Sequence, residues 1–113
     1  MIRVTIIDDE RIVGSVSCVK GGGVLMAWAQ ENEKSPGHCI FTESGEIKNI
    51  VDYDNVFELL VRATLNYLDL HGVKRGFCTN EKLFDSLKKL GFKECSNGCE
   101  VDIAQFFKPC CHK

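Results

Sequence analysis

The sequence predicts an α+β domain: a mixed, mostly antiparallel sheet with two helices. Three observations carry this. Short runs rich in β-branched and aromatic residues are separated by turn residues, as strands and hairpins require. Two segments, 55–70 and 81–90, repeat apolar residues at spacings of three and four, and a glycine follows each. A short strand candidate, residues 73–79, lies between those segments, so at least one strand pair must run parallel. The 113 residues, 44% hydrophobic and 27% charged, suit one domain over 1–113. A formal charge of -2 lacks the basic footprint of a bulk nucleic-acid binder. No apolar run approaches the ~20 residues of a membrane helix, and residues 1–5 lack a signal-peptide pattern. The expectation is a cytoplasmic protein with neither nucleic acid nor membrane as partner. Its seven cysteines are then expected as reduced thiols.

Residues 2–7 suit a strand, residues 8–11 a polar turn and residues 12–19 a second strand that closes a hairpin. Gly21-Gly22-Gly23 breaks the chain. Residues 24–30 form a third apolar run. Residues 31–37 read as a charged loop ending in Pro36-Gly37. Runs 38–42 and 46–51 flank Glu43-Ser44-Gly45 as a second hairpin.

Asn55 is placed to cap the first helix, with Glu58 completing a capping box. Val56, Leu60, Ala63, Tyr67 and Leu70 form one stripe, and Phe57, Val61, Leu65 and Leu68 another, so most of the girth is expected buried. Gly72 ends this helix. Residues 73–79 form a strand. Asn80 caps the second helix, whose stripe is Leu83, Phe84, Leu87 and Leu90 and whose end is Gly91-Phe92. Runs 92–94 and 100–107 then flank Ser96-Asn97-Gly98 as a closing hairpin.

This order, with Asn80, Gly91 and Phe92 at their spacing and Lys88-Lys89-Leu90-Gly91-Phe92 as the wording, resembles the GNAT superfamily of acyl-CoA-dependent N-acyltransferases. The likeness covers 46–107 and extends to the hairpin at 7–19. It implies a GNAT-like sheet, shortened at its N-terminus, and acyl transfer from acetyl-CoA to an amine. Carried over by position, it implies cofactor contacts at Val51, Asp52, Asn55, Val56 and Asn80. A backbone N–H of Val51 or Asp52 would polarise the carbonyl. Glu46 stands where a family base lies, and Cys78 where a substitute proton donor or nucleophile could act. The bland alternatives are a solvated strand end for Glu46 and a buried packing thiol for Cys78.

The chain departs from the family at both conserved chemical features. The family's pyrophosphate loop is Arg/Gln-x-x-Gly-x-Gly/Ala before the long helix, because glycines let backbone N–H groups approach phosphate oxygens. Here no glycine occurs between Gly45 and Gly72, and the motif positions fall on Val56, Leu59 and Val61. Asp52, Asp54 and Glu58 put negative charge where a phosphate would sit; the bland alternative is that these acids cap and favour the helix N-terminus. The family's tyrosine acid, seven residues past the asparagine, is replaced by Leu87. A second reading is therefore a non-catalytic domain that binds a small ligand, a peptide or a partner chain in the cleft beside residues 48–51. A homodimer is compatible with it.

A third reading concerns Cys95, Cys99, Cys110 and His112. Thiolates and imidazole are zinc ligands, and Cys95 and Cys99 flank a turn as in a zinc ribbon. Their Cys-x3-Cys spacing differs from the usual knuckle. The alternative is a thiol-rich tail of no fixed role.

Overall fold

The computed structural model describes residues 3–7, 24–31, 34–53 and 55–107. The expected turn at 8–11, the strand at 12–19 with Cys18, the triple glycine, Asp54, and Cys110, Cys111 and His112 lie outside the described residues. The elements in chain order are β1 (Arg3–Ile7), β2 (Val24–Glu31), β3 (Lys34–Thr42), β4 (Glu46–Asp52), α1 (Phe57–Leu70), β5 (Arg75–Cys78), a 3-10 turn (Glu81–Leu83), α2 (Phe84–Lys89), β6 (Lys93–Cys95), β7 (Gly98–Asp102) and α3 (Ile103–Phe106). The described strands form one sheet in the order β1-β2-β3-β4-β5-β7-β6. Among them β4 and β5 run parallel and every other neighbouring pair antiparallel. No helix among the described residues is long and apolar enough to cross a membrane.

The architecture is the expected α+β class, with three corrections. Pro36-Gly37 does not end a loop but lies inside β3. The β2–β3 register shifts between Ala29 and Glu31, so Pro36 falls at an irregularity where its missing N–H breaks no regular ladder. Its carbonyl accepts from Tyr53 N–H at 2.7 Å. A Cβ on Gly37 would overlap the Val51 carbonyl oxygen and lie 2.8 Å from Val56 Cγ2. Glycine here permits a close strand approach. Secondly, the last strand stops at Asp102, whose carboxylate accepts from Gln105 N–H at 3.1 Å and starts α3. There are thus three described helices where two were expected. Thirdly, the second helical segment opens as a 3-10 turn before α2.

Helix α1 buries Leu60, Val61, Thr64, Leu65 and Leu68. Leu70, expected in a buried stripe, is 75% exposed, so α1 buries one face and not most of its girth. That face packs on Leu25, Ala27 and Ala29 of β2, Cys39 and Phe41 of β3, and Cys78, Cys99 and Val101 across the sheet, in one cluster that also takes Leu83, Leu87 and Phe92. Small residues let the helix approach: a Cβ on Gly76 would lie 2.8 Å from Leu65 Cδ2. Both expected glycine stops are present. Val73 N–H reaches Leu68 O (2.9 Å) with Gly72 N–H on Asp69 O (3.1 Å), and Phe92 N–H reaches Leu87 O (3.1 Å) with Gly91 N–H on Lys88 O (3.1 Å). These are Schellman pairs, and their glycines have φ of 81° and 114°.

Candidate ligand cleft where β4 and β5 diverge

Strands β4 and β5 register over two pairs, Glu46 with Phe77 and Ile47 with Cys78. Beyond them β5 ends and the chain turns away, while β4 continues to Asp52 with β3 along its other edge. The continuing stretch has no strand partner on the β5 side among the described residues. Asn80 holds the point of divergence. Its Oδ1 accepts from Lys82 N–H at 3.1 Å and caps the 3-10 turn, as the sequence suggests. Its Nδ2 donates to the Lys48 carbonyl at 3.2 Å and ties the turn back to β4.

Glu46 sits at the same point. Its Oε2 accepts from Thr79 Oγ1 at 3.2 Å, and its Oε1 pairs with Lys48 Nζ at 3.3 Å. Both carboxylate oxygens are occupied by neighbours. Cys78 lies behind this cluster and is fully buried. Its sulfur accepts from Asn80 N–H at 3.4 Å and stands 3.7 Å from Asn80 O. Burial pushes the thiol up, the Asn80 backbone contact opposes part of that, and the Glu46 charge adds to the rise. A buried thiol held in its neutral form is a poor nucleophile. The divergence of β4 and β5 therefore brings Glu46, Cys78 and Asn80 together.

The start of α1 is built differently from the expectation. Asn55 does not cap the helix: it takes a left-handed φ of 61°, and Val56 occupies the cap position without a side-chain bond of its own. The cap comes from Asp52, whose Oδ1 accepts from Val56 N–H at 2.8 Å. An aspartate here also complements the positive end of the helix dipole. A phosphate approaching this end would meet a carboxylate already on the first free amide. Val56 is buried, Val51 is half-buried with its carbonyl against Gly37, and Asp52 and Asn55 are exposed. The tyrosine position of the resemblance, Leu87, is wholly buried.

The cysteines of the closing hairpin are divided. Cys95 is exposed and Cys99 buried. Cys95 stands opposite Gly98, and Cys99 opposite Glu94, so their side chains leave opposite faces of the hairpin. No group of three His, Cys, Asp or Glu among the described residues could hold a metal ion. Cys110 and His112 lie outside the described residues.

Sequence reasoning missed the Thr79 and Lys48 contacts of Glu46 and the opposition of Cys78 to Cys99. The capping role of the acidic residues at the helix start is legible in the sequence, and Asp52 fills it in place of Asn55. The other contacts depend on strand register between distant segments, which no local pattern carries. No family model and no curated protein matches the sequence.

Proposed function

We propose that this chain is a GNAT-like domain that binds an extended peptide segment along β4 beyond its pairing with β5 and performs no acyl transfer. The observation that carries this is the short β4–β5 pairing, which ends at Ile47 and Cys78 while β4 runs on to Asp52. A strand edge of this kind offers main-chain donors and acceptors to an added strand, and alternate side chains set specificity. The Asp52 carboxylate on Val56 N–H, the buried Leu87 and the neutral Cys78 thiol argue against acyl-CoA chemistry.

Acyl transfer is the second reading. It is favoured by the parallel β4–β5 pair and by a carboxylate, Glu46, at the divergence. Hydrogen exchange distinguishes the two. A pool of extended heptapeptides is expected to slow exchange at the amides of residues 48–51, and acetyl-CoA to leave them unchanged. Protection by acetyl-CoA with none from the peptide pool overturns the proposal.

A further inference from the structure

Among the described residues, Cys78 and Cys99 are the one pair of cysteines directly opposed on neighbouring strands, in the antiparallel β5–β7 ladder. Ile103 N–H donates to Lys74 O at 3.1 Å on the same register. By the two-residue period of the ladder, Cys78 and Cys99 then form a hydrogen-bonded pair. Such pairs place their Cα atoms ~5.5 Å apart. That lies inside the ~4.4–6.8 Å a disulfide spans. Both side chains leave the same face and both are fully buried in the core under α1 and α2. Cys39 is opposed instead by Ala27 and Ile50, and Cys95 by Gly98.

We propose that Cys78 and Cys99 are a redox-modification site, forming a reversible cross-strand disulfide that loosens the Asn80 clamp on β4. Each thiol gives up one proton and one electron, and the two sulfurs join. A small oxidant, a hydroperoxide or an azodicarboxamide, takes both protons and both electrons. The coupling to the cleft follows from Cys78. Its sulfur contacts both the N–H and the carbonyl of Asn80. Once oxidised it has no hydrogen to give the Asn80 carbonyl, and its side chain must turn toward β7. Asn80 is the residue that ties the turn to Lys48 O. The cross-link itself does not depend on what the cleft binds.

The test uses the full chain carrying C95S, C110S and C111S, treated with diamide and digested with trypsin. The expected product joins the peptide containing Cys78 to the peptide containing Cys99, two hydrogens lighter than their sum, and dithiothreitol separates them. Adding C99A removes it. Exchange at the amides of residues 48–51 is expected to rise about tenfold in the oxidised chain, as for a locally opened segment. Free Cys78 and Cys99 after treatment, or a link from either to another cysteine, overturns the site. A Cys78–Cys99 link with unchanged exchange overturns the coupling to the clamp.

Discussion

At the scale of single residues, Asn80 carries the most. Its side chain caps one element with its oxygen and ties it to another with its nitrogen. Asn80→Ala should lower stability by about 1–2 kcal/mol, the loss of a cap and a hydrogen bond. Asn80→Asp keeps the acceptor and loses the donor, so it should recover part of that loss; urea unfolding measures both. The buried thiols give a pH dependence. Burial pushes Cys39 up to about 12, the contact with Thr64 opposing part of the rise and Cys78 adding to it. The Thr64 hydroxyl is itself buried with no nitrogen or oxygen partner among the described residues, and a thiol is weak company for it. Cys99 is pushed up to about 11, by burial first and then by Cys78 and Cys95. The unfolded chain loses these protons near the ordinary value of 9.0, the folded chain only higher. Stability is therefore full below pH ~9 and falls as pH rises through the window up to the folded values. The urea midpoint should drop between pH 8 and pH 10, and drop less in Cys39→Ala. For the same reason iodoacetamide at pH 8 should label the exposed Cys95 far faster than the buried Cys39, Cys78 and Cys99.

At the scale of elements, the glycines separate two kinds of constraint. Gly91 ends α2 with a positive φ and open space around its missing Cβ. Gly91→Ala should cost about 1 kcal/mol, the left-handed backbone penalty alone. Gly98 combines a φ of 153° with a Cβ position that overlaps the Cys78 carbonyl oxygen. Gly98→Ala should cost more, about 2–3 kcal/mol, since strain and collision act together. Thermal unfolding of the two variants gives the ranking. Elements with a strong period or a terminal glycine are legible in the sequence: the bodies and glycine stops of α1 and α2 and the turn of the β3–β4 hairpin fall where the pattern puts them. Pro36-Gly37 misleads because those residues usually mark turns, and only the neighbouring Val51 carbonyl shows why a glycine belongs inside β3. Residues 103–106 mislead because four residues are too few to show a period, and the Asp102 cap decides them. Leu70 misleads because spacing finds a stripe but not where the packed surface ends.

At the scale of the whole molecule, one short parallel pair in an antiparallel sheet leaves β4 and β5 to diverge. A helical connection after β4 brings the next strand back parallel, and α1 packs on the core face of the sheet. The parallel pairing is legible in the sequence, because a strand between two helical patterns requires it. The length of that pairing is not, because it depends on where Asn80 turns the chain away and fastens it to Lys48. The absence of glycine between 46 and 71 is legible from the start. The structure adds that the Asp52 carboxylate sits on the N-terminal end of α1. Titration of the chain with acetyl-CoA by calorimetry tests this most directly. No saturable heat is expected up to millimolar cofactor, and none in the Asp52→Ala variant either. A dissociation constant tighter than about 1 mM, equivalent to more than ~4 kcal/mol of binding, would contradict it.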